Sequence, residues 1–114
     1  MTKQENQLVL INLLKSKWTL SVLQALQHRT LRYSAIEKSI PKITQRALTM
    51  TLRNLESYGV LDRYAYSSIP PQVEYKLTSI GLDLLKLCET MDEWVKEHEA
   101  DMQRARKAYV RRSR

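Results

Sequence analysis

The most informative polar side chains of this sequence lie within residues 44–58. Leu48, Leu52 and Leu55 recur there at helical spacing, so a helix that buries them turns a polar stripe outward near its start. The stripe consists of Gln45, Arg46, Thr49, Met50 and Arg53. Arg can donate two hydrogen bonds to guanine O6 and N7, Gln can pair with adenine N6 and N7, and the methyl groups of Thr and Met can contact a thymine methyl. We therefore predict that the stripe reads bases in the major groove of double-stranded DNA.

The surroundings of this stripe suit a polyanion. No Asp or Glu occurs between Pro41 and Arg53, and the free backbone amides at the start of a helix attract a phosphate oxygen. A solvated polar face is the alternative explanation for any such stripe. Its place after a capped helix and a short Pro-containing turn, and before a hairpin, favours DNA recognition over that alternative.

Apolar spacing and turn residues predict a single domain over residues 1–114, made mainly of α-helix with a small β-hairpin. Trp18, Val22 and Leu26 mark a second helix, and Thr30–Arg32 is a candidate for a short strand. The other principal elements are a first helix at residues 6–15, the recognition helix at 44–58, a hairpin or wing at 61–77 and a last helix at 78–110. This order predicts a winged helix-turn-helix with a long C-terminal dimerisation helix.

Turn and cap residues place the ends of these elements. Pro41 ends the third helix, and Gly59 ends the recognition helix as a left-handed cap. The candidate N-terminal caps are Ser16 for the second helix, Ser34 with Glu37 as a capping box for the third, Thr44 for the recognition helix and Thr78 for the last. The strands Leu61–Tyr66 and Val73–Leu77 are joined by a Pro-rich tip that we expect to project.

Polar side chains at the wing tip and beside the helix ends are candidates for contacts to the DNA backbone, because donors and cations bind phosphate. These candidates are Lys17, Arg32, Lys42, Thr44, Tyr66, Ser67, Ser68 and Gln72. Tyr64 and Tyr66 fit cross-strand packing as well as they fit DNA contact, so both roles stay open for them.

Apolar residues of the last helix recur in steps of three and four from Ile80 to Met102. A seam of this kind needs a partner, and a small domain has no second long helix to cover it. We predict that it pairs with a second copy of the chain across a two-fold axis, while Leu82 and Leu85 turn inward. Packing against the first helix of the same chain is the alternative. The predicted interface is Leu8, Ile11, Ile80, Leu84, Leu87, Met91, Trp94, Val95 and His98.

The net charge of +7 is unevenly distributed. Residues 1–79 hold 11 Lys or Arg against 5 Asp or Glu, residues 80–103 hold 2 against 7, and residues 104–114 hold 6 against none. A basic body followed by an acidic helical stretch indicates that one face meets a polyanion, although a solvated basic face explains the charge equally well. The basic end is a weaker candidate for contacts to flanking DNA.

Other classes of function lack their sequence signals. There is no glycine-rich phosphate loop and no nucleophile with a base at a recognisable spacing, so we predict no enzyme activity. His28, His98 and Cys88 lack metal-ligand spacing, and Cys88 lies among apolar neighbours, so we predict no metal and no cofactor. No apolar run suits a bilayer and the first residues do not form a signal peptide, so we expect no membrane contact and a place in the prokaryotic cytosol with the nucleoid.

Several stretches resemble the HxlR-type bacterial regulators, a winged-helix family close to the MarR group. The matching stretches are Lys17-Trp18-Thr19-Leu20, Leu31-Arg32-Tyr33-Ser34, Ile43-Thr44-Gln45-Arg46-Ala47-Leu48-Thr49, Leu52-Arg53-Asn54-Leu55-Glu56, and Pro70-Pro71-Gln72-Val73-Glu74-Tyr75-Lys76-Leu77-Thr78 with Gly81. The resemblance implies a homodimer, held by the first and last helices, that binds a near-palindromic operator. We favour a repressor over an activator. A small-molecule effector stays open and its identity is unknown.

Two departures from the family pattern bear on regulation. Many members of the family sense electrophiles or oxidants through a cysteine near the amino end, where this chain has Gln4-Glu5-Asn6. Gln72 stands at a wing position that is usually basic.

Two alternative functions remain open: a non-specific nucleic-acid or chromatin-type binder, and a winged helix that binds a protein. The cationic stripe argues against the second of these, because protein interfaces are more aromatic and apolar.

Overall fold

The structure is a computed structural model that describes residues 1–113. Its elements in chain order are α1 (Lys3–Leu14), α2 (Thr19–Ala25), β1 (Leu31–Arg32), α3 (Tyr33–Ser39), α4 (Gln45–Ser57), β2 (Leu61–Tyr66), β3 (Gln72–Leu77) and α5 (Ser79–Arg112). The strands form one antiparallel sheet in the order β1, β3, β2, with Leu31 opposite Tyr75 and Tyr66 opposite Gln72. The predicted mainly α fold, a winged helix-turn-helix with a long last helix, is confirmed.

One apolar core joins α2, α3, α4, the sheet and the first turns of α5. Its most deeply buried side chains are Val22, Leu23, Leu26, Ile36, Leu48, Leu52, Leu55, Val60 and Leu61. Leu48, Leu52 and Leu55 are each at most 2% exposed, which confirms the predicted buried face of α4. Because burying one such side chain stabilises the fold by roughly 1.5–3 kcal/mol, these leucines together fix the rotation of α4 about its axis.

The start of α3 differs from the prediction. α3 begins at Tyr33, directly after β1, so that Arg32 is its N-cap and makes no side-chain cap bond. Arg32 is paired with Glu74 in the sheet, which leads the chain from strand into helix without a turn. Ser34 therefore lies inside the first turn rather than before it, and the predicted capping box of Ser34 and Glu37 is wrong.

The ends of α1 and α2 also differ from the prediction. α1 begins at Lys3 rather than residue 6, because Thr2 and Glu5 form a capping box in which each side chain accepts the backbone N–H of the other. Ser16 is not the N-cap of α2, which begins two residues after Lys17. Ser16 Oγ instead accepts the N–H of Trp18 at 3.1 Å, so it shapes the turn between α1 and α2.

A close backbone contact seats α5 on the corner between α4 and β2. Gly59 takes a φ of 73° there, as predicted for a left-handed cap. Thr78 caps α5 as predicted: its hydroxyl accepts the N–H of Gly81 at 3.1 Å and donates to the carbonyl of Gly59 at 2.6 Å. A Cβ atom at Gly81 would lie 2.1 Å from the carbonyl oxygen of Val60. Only glycine lets the helix approach the corner this closely.

α5 divides into a packed start and a long arm. Its buried residues are Gly81, Leu84, Leu85 and Cys88. The prediction that Leu84 lies in an interface with a second copy is wrong, because at 9% exposure it belongs to the core of its own chain. Leu82, which we expected inside, is 40% exposed. None of the helices within residues 1–113 combines the length and apolarity needed to cross a membrane.

We expect Gly81→Ala to lower the free energy of unfolding by about 1–3 kcal/mol, because the added methyl group must push α5 away from the Val60 carbonyl. Chemical denaturation monitored by circular dichroism measures this. Lys86→Ala, an exposed change in the same helix, is the control and should alter stability by less than about 0.5 kcal/mol. Equal stability of the Gly81 and Lys86 variants would contradict the close contact.

Candidate nucleic-acid interface

The turn of residues 40–44 sets the direction in which α4 leaves α3. Ile40 is extended, with φ −116° and ψ 101°, because the ring of Pro41 excludes the helical conformation from the residue before it. Lys42 has a positive φ of 67°. Thr44 then caps α4, since its hydroxyl accepts the N–H of Ala47 at 3.0 Å, which confirms that predicted cap.

The predicted base-reading stripe lies on the face of α4 that the core leaves free. Its exposed members are Gln45, Arg46, Met50 and Arg53, and its half-buried member is Thr49. All of them line one shallow concave surface together with Tyr33. The first acidic residue of α4 is Glu56, about three turns from the helix start, so no carboxylate of this helix lies beside Arg46. Such a surface can accept the edge of a duplex.

Tyr33 braces the first turn of α4, a role that the sequence analysis missed. Its hydroxyl donates to the carbonyl of Gln45 at 3.0 Å and lies 2.9 Å from Thr49 Oγ1. Because the Tyr33 hydroxyl donates its hydrogen to the Gln45 carbonyl, it accepts a hydrogen bond from the Thr49 hydroxyl. The hydroxyl of Thr49 is thus engaged within the chain, and its methyl group is the part left for a base. The sequence feature that could have indicated this role is the tyrosine at the start of the preceding helix.

A second set of hydrogen bonds holds the other end of α4 to α1. Asn54 Nδ2 donates to the carbonyl of Asn12 at 2.7 Å, and Asn12 Nδ2 donates to the Tyr58 hydroxyl at 3.0 Å. The hydroxyls of Ser16 and Thr51 lie 3.2 Å apart. These bonds are partly buried, so little water competes for them and they fix α4 against α1.

The structure separates two lysines of the turn between α1 and α2. Lys15 lines a groove beside Met50 and Arg53 of α4, although the sequence analysis did not select it. Lys17, which it did select, lines a different groove that α5 borders, and its ammonium lies 4.8 Å from the centre of the Trp18 ring. Lys15 shares its groove with two residues of the stripe, so it is the better placed cation. Their sequence spacing alone could not distinguish them.

At the wing tip, one predicted phosphate contact is engaged internally. Ser68 Oγ donates to the carbonyl of Pro70 at 2.7 Å, and its N–H bonds to the Tyr66 carbonyl at 2.9 Å, so Ser68 shapes the tip. Ser67 remains exposed. Ile69, which the sequence analysis did not select, is fully exposed at the tip. An apolar side chain there suits the wall of a minor groove better than a phosphate.

The strands of the wing present two tyrosines to solvent. Tyr64 and Tyr66 are 41% and 48% exposed. Tyr64 donates to Asp62 Oδ2 at 3.3 Å, and the charge of Asp62 raises the pKa of the Tyr64 hydroxyl, so Tyr64 is tied to its own strand. Tyr66 faces Gln72 across the hairpin, and both lie next to the tip. Of the two tyrosines, Tyr66 is the better placed for DNA.

Known proteins are similar to this chain in sequence. Residues 13–103 match the HxlR-like helix-turn-helix family. The chain belongs to that family. An uncharacterized HTH-type transcriptional regulator from Methanothermobacter thermautotrophicus is 46% identical to this HxlR-like chain over 88 residues, which make up 77% of the chain and 67% of the relative. The chain is a transcriptional regulator with a helix-turn-helix domain.

Solved structures share the fold of the HxlR-like chain. A transcriptional regulator of the MarR family from Enterococcus faecalis V583 superposes with a TM-score of 0.73 at 31% identity, over 91% of this chain and 94% of that one. The redox regulator HypR in its reduced form superposes with a TM-score of 0.73 at 30% identity, over 86% of this chain and 97% of that one. These two regulators therefore have the same fold as this chain.

The HxlR-like chain contains one cysteine, and this cysteine is buried. Cys88 is 5% exposed in the packed start of α5. Burial raises the pKa of the Cys88 thiol, and the neighbouring Glu89 carboxylate raises it further. The thiolate is the reactive form, so burial and the raised pKa both lower the reactivity of this cysteine. Within residues 1–113, no three His, Cys, Asp or Glu side chains are grouped as metal ligands.

We expect Tyr33→Phe to leave the fold intact while loosening the first turn of α4. Loss of one hydrogen-bonded hydroxyl should lower the free energy of unfolding by about 1 kcal/mol. Affinity for a selected DNA site should fall by more than affinity for random DNA, since bases are read only by a correctly placed turn. Fluorescence anisotropy with both duplexes measures this. Lys86→Ala, at an exposed position on α5, is the control, and equal losses on both duplexes would contradict the brace.

Proposed function

We propose that this chain binds double-stranded DNA sequence-specifically as a homodimer in the cytoplasm and represses transcription from a near-palindromic operator. The observation that carries the proposal is the exposed stripe with Arg46 and Arg53, on a helix whose opposite face is locked into the core. Two copies of α4 related by a two-fold axis enter successive major grooves about 34 Å apart. The function requires no catalytic step.

The base readers have distinct roles in this proposal. Arg46 donates to guanine O6 and N7, and Gln45 pairs with adenine N6 and N7. Met50, 60% exposed, and the methyl group of Thr49 contact thymine methyl groups. Arg53, two turns further along α4, completes the stripe. A pattern of donors and methyl groups of this kind distinguishes all base pairs only in the major groove.

Contacts to phosphate hold the dimer in register on the duplex. They come from Arg32, Lys42, Thr44, Tyr66, Ser67 and Gln72, with Lys15 added. Arg32, Lys42 and Lys15 are exposed cations that release counterions from the DNA when they bind phosphate. Because these contacts carry no sequence information, they raise affinity for every duplex alike.

Exposed apolar side chains on α1 and α5 support the homodimer. Leu8 and Ile11 of α1 are 56% and 59% exposed, and on α5 Ile80 is 59% exposed and Trp94 is 55% exposed. A single chain seldom leaves so many large apolar groups in water along one helix. A second copy covers them on both subunits at once across a two-fold axis. The interface proposed here is the predicted one without Leu84.

Selection of duplexes from a random DNA pool by the full-length chain tests this function. We expect enrichment of an inverted repeat whose half-sites are centred about 10 base pairs apart. Arg46→Ala removes from each subunit a contact worth roughly 1–3 kcal/mol, so it should weaken binding to the selected site by at least about 30-fold and relax the preference for guanine in each half-site.

If the pool stays random after repeated selection, the chain binds nucleic acid without sequence specificity, which would contradict the proposed function. The same conclusion follows if Arg46→Ala weakens binding to the selected site and to random DNA by equal factors, because a phosphate contact has that effect.

Lys42→Gly isolates one phosphate contact. The residue has a φ of 67°, which glycine adopts without strain, so the variant removes the cation and keeps the turn. Because the proposed dimer carries two copies of Lys42, we expect the slope of log K against log salt concentration to become shallower by about two. Lys86→Ala, on α5, removes a charge outside the proposed interface and should leave the slope unchanged. A slope unaffected by Lys42→Gly would show that Lys42 does not contact a DNA phosphate.

A further inference from the structure

A groove lies beside the base-reading stripe, between the α1–α2 turn and α4. Lys15, Ser16 and Trp18 line it from the turn, and Met50 and Arg53 are among the residues that line it from α4. Its volume is about 520 Å³, which falls within the roughly 300–1,000 Å³ typical of small-molecule sites. We call it the Trp18 groove, and its size suits a small organic ligand.

The α4 side of the Trp18 groove is one face of the helix, next to the face that carries the stripe. Its residues follow the spacing i, i+3, i+4 and i+7: Ala47, Met50, Thr51 and Asn54. Met50 and Arg53 lie at the shared edge, because they line both the groove and the concave surface of the stripe. A ligand in the groove therefore occupies two side chains of the stripe.

Hydrogen bonds hold the two sides of the groove together in the absence of a ligand. The hydroxyls of Ser16 and Thr51 lie 3.2 Å apart, and Asn54 Nδ2 donates to the Asn12 carbonyl at 2.7 Å. A site whose walls are already in place avoids the cost of ordering them when a ligand binds. The hydroxyl pair uses only one of its two hydrogens for the mutual bond, so the other can donate to an oxygen of a ligand.

The charged groups of the groove favour an anion. Lys15 comes from the turn and Arg53 from α4, so each side of the groove contributes one exposed cation. None of the described residues that line the groove is acidic. Both ion pairs found within residues 1–113 lie on α5, so these two cations are not neutralised within the chain. The planar guanidinium of Arg53 matches a carboxylate, with which it can form two parallel hydrogen bonds.

The apolar groups of the groove favour an aromatic ring. Most of the wall is apolar, with half-buried Trp18 on one side and Met50, 60% exposed, on the other. Aromatic rings stack on tryptophan, and the sulfur of methionine makes favourable contacts with them. Placing a DNA phosphate against an apolar wall costs free energy instead. The wall therefore favours an aromatic ligand over the DNA backbone.

We propose that the Trp18 groove binds a planar aromatic carboxylate and that this ligand competes with DNA. The ring packs between Trp18 and Met50, and the carboxylate accepts hydrogen bonds from Lys15 and Arg53. Binding of the ligand stands on the groove alone, whereas the competition rests on the DNA-binding function proposed above. Met50 and Arg53 cannot serve a base pair and the ligand at once, so a filled groove releases the duplex.

NMR of the tryptophan indole N–H groups locates the ligand. The chain has two tryptophans, Trp18 in the groove and Trp94 on the arm of α5. We expect naphthoate, used as the probe, to shift the Trp18 indole signal of the full-length chain and to leave the Trp94 signal unchanged. An unchanged Trp18 signal at saturating naphthoate, or a shift of Trp94 alone, would overturn the proposed site.

Calorimetric titration tests the role of charge. Naphthamide, the uncharged counterpart of naphthoate, should bind at least about tenfold more weakly, because it cannot form the charge-assisted hydrogen bonds. Lys15→Ala should weaken the binding of naphthoate about tenfold for the same reason. Lys17→Ala is the matched control, since it removes the same charge from the same turn but from a different groove, and should change affinity by less than about twofold. Equal affinities for naphthoate and naphthamide, or equal losses in both lysine variants, would overturn the carboxylate site.

Anisotropy with the selected duplex tests the competition. At a naphthoate concentration equal to its own Kd, each groove is half filled, so the Kd of the proposed dimer for DNA should rise about fourfold. In Lys15→Ala the same concentration should raise the Kd for DNA by less than about 1.5-fold, because the groove stays mostly empty. If naphthoate shifts Trp18 but leaves DNA affinity unchanged, the competition is overturned. If the chain selects no DNA site, the function proposed above fails, while the NMR result still decides whether the groove binds the ligand.

Discussion

A short helix can bury only one of its faces, and α4 buries the face with Leu48, Leu52 and Leu55. Every later feature depends on that burial. It fixes the rotation of the helix, and the rotation decides that Arg46 and its neighbours point away from the core. Because core packing tolerates little change in shape, the polar stripe is held as firmly as the leucines behind it.

Core packing fixes the rotation of α4, and hydrogen bonds at its two ends also fix its position. Tyr33 holds the first turn of α4 from the side of α3, and Asn54 holds its last turns against α1. The recognition helix is thus tied at one end to its helix-turn-helix partner and at the other to a helix with exposed leucine and isoleucine. In the proposed homodimer, a shift of α1 against the second copy would reach α4 through Asn12, so the proposed assembly and DNA reading would share one rigid connection.

Periodicity was enough to predict the helices, the hairpin and the exposed stripe, because these follow from local spacing and from caps such as Thr44 and Thr78. Features that depend on tertiary contacts could not be predicted in the same way. The capping box at Ser34 failed because β1 leads directly into α3, and Leu84 proved to be buried because Gly81 lets α5 approach the core. The apolar spacing of the last helix continues from its packed start into its arm, so only packing shows where the core ends and the arm begins.

Methylation protection by dimethyl sulfate on the selected DNA site tests the central claim most directly, since the reagent reports guanine N7 in the major groove and adenine N3 in the minor groove. The account predicts two clusters of protected guanine N7 atoms about 10 base pairs apart, with protection lost in Arg46→Ala. Protection limited to adenine N3, or guanine protection that survives Arg46→Ala, would contradict a major-groove role for the outward face of α4.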